Sequence, residues 1–258
     1  MHQSLGDHIP GQAAIHELLS QRQRAAPVSL LGRIFGADPL SAETRPWFRG
    51  ALGEIAVGRI LSSLGPEWTV LHDVPVGVGS SDIDHVVIGP GGVFTVNTKN
   101  HSGQPVWVAG RTLMVAGQRK RHIPNAEFEA QRAAKLLSAA TGRPVGVTGL
   151  VVVVSPKTLV IRERPAEVVV LSDRQLSSWL RRRQPALSGH DVQRITAAAI
   201  DSRTWHRNAP VLGDPAELGA RFEELRRQVN RAALRRLGWV LGFIVVVMAG
   251  LFFPALLR

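Results

Sequence analysis

Apolar and polar positions alternate with different periods along this chain, and the changes of period mark its elements. Gln12 to Ala26 carries a helical pattern, and a short apolar patch follows from Val28 to Phe35. The proline and glycine content around them predicts a loosely packed extension over residues 1–45. From Phe48 to Leu64, the positions Leu52, Ile55, Ala56, Ile60 and Leu64 fall on one face of a helix. Strands are expected at Trp68 to Val74, Ile83 to Ile88 and Val93 to Thr98. The Gly-Pro-Gly-Gly link from Gly89 to Gly92 makes the last two a hairpin. Val106 to Val108 and Thr112 to Val115 read as shorter strands around Gly110, and Asn125 to Ala140 as a helix. Val147 to Val154 is an unbroken apolar run, the pattern of a strand covered on both faces. Val168 to Leu171 is a short strand, and Asp173 is the expected cap of a helix ending at Arg183. The order α-β-β-β-α-β predicts an α/β domain over residues 46–183, a mixed sheet flanked by helices. His190 to Arg203 continues as a helix, Trp205 to Pro215 as a linker, and Ala216 to Arg236 as a basic helix, so residues 184–236 form a helical connection.

The pattern then loses its polar face altogether. Gly238 to Leu257 carries no charge, and twenty residues of helix rise about 30 Å, the thickness of a bilayer's hydrocarbon core. A buried core helix of that length would normally keep a polar side. Residues 238–257 therefore predict a single transmembrane helix. Arg226, Arg227, Arg231, Arg235 and Arg236 precede it and only Arg258 follows, which places the N-terminal domain in the cytoplasm. Trp239 sits where an interfacial anchor belongs. The start, MHQSLGDHIP, has no apolar core of a signal peptide.

Composition narrows the chemistry. The chain has 258 residues, 45% hydrophobic and 20% charged, and no cysteine, which excludes disulfides, thiolate metal sites and cysteine catalysis. The net charge of +11 suggests an anionic partner, but seven arginines and two glutamates from Arg221 onward account for +5 of it. That share has a topological explanation, and the remaining +6 is compatible with nucleic-acid binding without demanding it. The run Arg119, Lys120, Arg121, His122 reads as a solvated loop able to contact phosphates. Arg181 to Arg183 suit a helix C-terminus, and the scattered tryptophans suit packing rather than base stacking. No phosphate loop, GxSxG or HExxH motif occurs.

Chemistry concentrates in the hairpin SDIDHVVIGPGGVFTVNTKN, Ser81 to Asn100. Asp84 lies near the start of its first strand, with Asn97 and Lys99 at the end of the second. Antiparallel pairing brings these ends together, and the period of two puts Asn97 and Lys99 on one face. Carboxylates there can hold a divalent cation, and a lysine beside them can orient water and offset developing phosphate charge. Polar strand ends that merely meet solvent give the same pattern.

The surrounding residues resemble the NERD (nuclease-related) domain, a branch of the PD-(D/E)xK nuclease superfamily. The resemblance lies in RGALGEIAVGRIL (Arg49 to Leu61), DIDHVVIGPGGVFTVNTKN (Asp82 to Asn100) and a later helix containing QRAAK (Gln131 to Lys135). It covers roughly Trp47 to Val154 and implies a restriction-endonuclease-like mixed sheet. By position it makes Asp84 the motif aspartate that binds metal, Lys99 the motif lysine, and Glu54 the helix glutamate that completes the metal site. Gln131 resembles the polar residue lining the site from the following helix. His85 belongs to the family's IDH signature, with a structural hydrogen bond expected of it. Asn97 is the departure, because the family pattern has a glutamate there. A neutral oxygen replaces an anionic one, which weakens a Mg²⁺ or Mn²⁺ site unless Glu54 or Asp82 compensates.

The resemblance thus implies a metal-dependent nuclease, with Asp84, Glu54 and Asn97 at the metal, Lys99 at the phosphate, Gln131 assisting, and DNA favoured over RNA, and the apolar tail tethers it to a membrane. The alternative is a catalytically degenerate module that binds nucleic acid or a protein partner at the membrane. A third reading is a structural anchor whose arginines meet lipid headgroups.

Overall fold

The computed structural model describes residues 5–24, 29–76, 82–206 and 212–256, the side chains of residues 250–256 excepted. The expected limits at Ala26, Val28, Ser81 and Leu257, and most of the linker after Trp205, lie outside the described residues.

The strands divide into two sheets. The larger has the order β1-β2-β3-β7-β9, built from β1 (Thr69–Pro75), β2 (Asp82–Gly89), β3 (Gly92–Asn100), β7 (Val147–Val154) and β9 (Val168–Ser172). Its first three strands are antiparallel, and β3, β7 and β9 run parallel. The hairpin is as the sequence predicts, with Gly89 paired to Gly92. The smaller sheet, β6-β5-β4-β8, holds β4 (Pro105–Ala109), β5 (Thr112–Val115), β6 (Gln118–Lys120) and β8 (Thr158–Glu163). Two of its strands, β6 and β8, are additions to the sequence reading.

Helices cover both faces of the larger sheet. On one, α3 (Thr44–Leu61) and α5 (Asp173–Arg181) pack Val57, Leu61, Leu176 and Leu180 onto Val87, Phe94, Val96, Leu150 and Val152. On the other, α4 (His122–Thr141) and α6 (Gly189–Ile200) set Ala133, Leu137 and Ile195 against Val86, Ile88 and Val93. Burial on both faces explains why Val147–Val154 reads as a continuous apolar run. Ser172, rather than Asp173, caps α5, with the Gln175 side chain accepting from the Ser172 backbone N–H at 3.0 Å. Asp173 instead accepts from the Ser155 N–H at 3.1 Å, tying the end of β7 to the helix.

The N-terminal residues are more firmly held than their composition suggests. Helix α1 (Gln12–Arg24) buries Ala14, Ile15, Leu18 and Leu19 with Phe48 and Ala51 of α3. The same cluster takes Leu218, Phe222 and Leu225 from α8 (Pro215–Leu256), a helix of 42 residues that extends about 63 Å. A short helix, α2 (Leu30–Phe35), lies against the middle of α8, and the four residues of α7 (Ser202–Trp205) bring the Trp205 ring into the core. From Leu234 onward α8 exposes Leu237, Val240, Leu241, Phe243 and Ile244, and it is long and apolar enough to cross a membrane.

Candidate functional site

The open end of the β2–β3 hairpin gathers acidic side chains from four elements. His85 pairs with Val96, so Asp84 lies level with Asn97 one step further along the ladder. There the Thr98 N–H donates to the Asp84 carboxylate at 2.5 Å, which fixes that side chain across the strand ends. Glu54 arrives from α3. Gly53 beside it makes this approach possible, because a Cβ at that position would stand 3.0 Å from the Asn100 Cβ. Asp82 opens β2, and Asp73 contributes from β1.

Glu54, Asp82 and Asp84 are half-buried and Asp73 is buried, and each is harder to ionise than usual. Burial is the main cause throughout. For Glu54 the negative neighbours Asp84, Asp73 and Asp82 add to it, and Lys99 opposes. Burial and Asp84 push Asp82 up to about 6. Asp84 rises by burial, against the restraint of Lys99 and the Thr98 amide. Asp73 rises through burial and Asp82, although the Gln12 and Ala13 amides donate to it at 2.9 and 2.8 Å. Those two bonds also satisfy first-turn N–H groups of α1, and Asp73 reaches them from a left-handed backbone, φ 46°.

Asn97 is 4% exposed and points at α4, where its amide donates to Glu129 Oε1 at 2.6 Å. Glu129 is thus a member of the cluster that the sequence reading lacked. Burial, with Asp84 next, pushes its carboxyl up to about 8. The buried apolar stripe of α4 is Ile123, Ala126, Ala130, Ala133 and Leu137, and Glu129 lies about 60° around the helix from Ala126, beside that stripe, so the apolar pattern alone does not single it out. Gln131 does not join the cluster. It lies about 200° around the helix from Glu129 and is exposed.

Two acceptor oxygens at this point have no hydrogen-bond partner although they are buried, Asn97 Oδ1 and Glu129 Oε2. Orphaned acceptors beside mutually repelling carboxylates suit a divalent cation, which would satisfy the first and relieve the second. Among the described residues, no three acidic or imidazole side chains stand close enough to ligate one ion alone. A Mg²⁺-type site, with one or two carboxylates, an amide oxygen and waters, matches this donor set better than an all-carboxylate cage.

A basic group adjoins the acidic one through Lys99. His101, just beyond β3, stacks on His122 at the start of α4 with Nε2 atoms 2.9 Å apart. Burial lowers both imidazoles, and the charges of Lys99 and Lys120 lower them further, His122 to about 3. Arg49 adds to the effect on His101. The expected basic loop is therefore the edge strand β6 followed by the first residue of a helix. His85 makes the structural bond expected of it, its Nδ1 lying 2.8 Å from His72 Nδ1 on the face away from α4. Burial also pushes His72 down to about 4.

The fold and site define a class: a mixed α/β domain presenting a carboxylate cluster and one lysine at the open end of a β-hairpin, closed by a helix on each face. Residues 49–154 match the family described as nuclease-related domain (NERD). An uncharacterized protein of Bacillus anthracis is 45% identical over 69 residues, covering 25% of this chain and 31% of that protein. The chain thus spans about a third of the length of this curated relative. No solved structure matches the chain.

Proposed function

We propose that the NERD domain is a divalent-metal-dependent phosphodiesterase acting on nucleic acid, held at the cytoplasmic face of a membrane by α8. The observation that carries this reading is the pair of orphaned oxygens, Asn97 Oδ1 and Glu129 Oε2, beside Asp84. Asp84, Glu129 and Asn97 would hold the cation, with Glu54 and Asp82 within electrostatic reach. A bound Mg²⁺ or Mn²⁺ supplies polarisation of the phosphate and a more acidic water. Lys99 offsets charge developing on the phosphate oxygens. Lys120, Arg49 and the His101–His122 pair flank it and position the neighbouring phosphates. Glu129 restores from α4 the negative charge that Asn97 removes from β3. The arginine bias around the apolar stretch of α8 supports a cytoplasmic head.

Calorimetric titration of the full chain in detergent micelles with Mn²⁺, together with cleavage assays on DNA and RNA, tests this. Glu129→Gln is expected to weaken Mn²⁺ binding at least about tenfold and to abolish cleavage. Asn97→Glu alone sets a second carboxylate against Glu129 and gains nothing. The double variant Asn97→Glu/Glu129→Gln exchanges the two groups and recovers binding. Wild-type affinity in Glu129→Gln, or no Mn²⁺ binding and no cleavage by the natural chain, would overturn the reading.

A further inference from the structure

Helix α2 is stopped on purpose and carries its apolar side outward. Ser29 caps it by accepting from the Gly32 N–H at 3.1 Å, and Gly36 ends it in the left-handed region at φ 76°. Leu30, Leu31, Ile34 and Phe35 are 78%, 67%, 54% and 55% exposed. At 100° per residue they fall within about 140° of one another, on one face. Four large apolar side chains on a six-residue helix make a patch that water does not favour.

The helix is docked on α8 where that helix turns apolar. The Trp239 indole N–H donates to the Ile34 carbonyl at 3.0 Å, and the Phe35 and Trp239 rings lie 5.1 Å apart. Arg235 donates to the Arg33 carbonyl at 2.7 Å. The outward face of α2 therefore continues the apolar surface of α8 at the level of an interfacial tryptophan. Beside it opens a cleft of about 320 Å³ among Arg22, Arg33, Arg231, Arg235 and Glu224. Glu224 is bound to Arg227 at 2.7 Å. None of the other four arginines has an ion-pair partner among the described residues. Three separate segments, α1, α2 and α8, thus line one space next to an apolar face with arginines.

We infer that α2 and this cleft form a binding site for one anionic phospholipid, with the α2 face in the acyl boundary and the headgroup phosphate among Arg22, Arg33, Arg231 and Arg235. The site rests on the reading of α8 as a membrane span. It adds Arg22 and Arg33, distant in sequence, to Arg231 and Arg235 beside the span, and it orients the head by a second point of attachment. Guanidinium groups match phosphate bidentately, and basic groups near an anionic surface attract it.

The absence of cysteine allows a single spin label at Leu31→Cys, with Ile244→Cys as a marker of the span. The full chain is reconstituted in vesicles of phosphatidylcholine with phosphatidylglycerol. Both labels are expected to relax with oxygen and to be shielded from a water-soluble nickel chelate. An Ile244 label in lipid with the Leu31 label in water, or shielded from both reagents by protein, overturns this inference and leaves the span standing. Both labels in water overturns the span reading itself. Native mass spectrometry of the full chain in detergent then compares phosphatidylglycerol, phosphatidylcholine and inorganic phosphate. Phosphatidylglycerol should be retained best, and Arg22→Gln/Arg33→Gln should weaken it about 25-fold, roughly fivefold per basic group, with unchanged Tm. Equal retention of the two lipids, equal binding of free phosphate, or no effect of the double variant overturns the proposal.

Discussion

The hydrogen bond from Asn97 to Glu129 sets an amide, rather than a second acid, beside the carboxylate of α4. At 2.6 Å, two carboxylates would have to share a proton, whereas an amide donates one N–H and leaves its own oxygen for another ligand. Asn97 and Glu129 are therefore one hydrogen-bonded pair, divided between a strand and a helix. Asp73 poses a different residue-scale problem, since it is 1% exposed, crowded by Asp82, and still bonded to two amides of α1. Asp73→Asn and Asp73→Ala both remove the crowding, but only the amide keeps an acceptor for those N–H groups. Asp73→Ala should be less stable than Asp73→Asn by about 1–3 kcal/mol in chemical denaturation. Equal stabilities would show that the two bonds contribute nothing.

At the scale of elements, Gly36 decides how α2 meets α8. A Cβ there would come within 2.6 Å of the Ala232 carbonyl, and the left-handed backbone disfavours any other residue. Gly36→Ala should release α2 locally, so that amide exchange in residues 29–36 speeds up at least about fivefold while global Tm hardly changes. Unaltered exchange would mean that the docking is not what orders α2. The elements missing from the sequence reading also have physical reasons. Strand β6 is only Gln-Arg-Lys, held by antiparallel pairing to β5 rather than by burial. Strand β8 is exposed along most of its length and exists through its parallel pairing with β4, so no alternation of apolar residues announces it. Edge strands recruited by a neighbour leave little trace in their own composition. In α4 the apolar stripe is legible, but Glu129 lies beside it, and the charge that the helix buries is Glu127.

For the whole molecule, the buried acids make folding depend on pH in a direction opposite to that of most proteins. Their folded values lie above the ordinary carboxylate range, with Asp82 at about 6 and Glu129 at about 8. The native state then binds more protons than the unfolded chain, so stability is fully present below the unfolded values and is lost as pH rises through about 6 and then about 8. The metal-free full chain in micelles should show Tm falling steadily from about pH 5 to about pH 8.5, and saturating Mn²⁺ should flatten the fall. A Tm that rises over this range without metal would contradict the carboxylate cluster. Hydropathy patterning alone set out the elements that bury their own side chains: the amphipathic α3, the hairpin with its glycine turn, the doubly covered β7 and the apolar length of α8. It also placed Asp84, Asn97 and Lys99 at one end of the hairpin, because pairing and a strand's period of two fix where nearby residues point, whereas Glu54 entered only through the family resemblance. It took the packing of helix on sheet and helix on helix to bring Glu129 rather than Gln131 beside Asn97, and to return α2 and Arg22 to the middle of α8. Those relations depend on how helices lie on a sheet and on one another, and local periodicity carries no record of that.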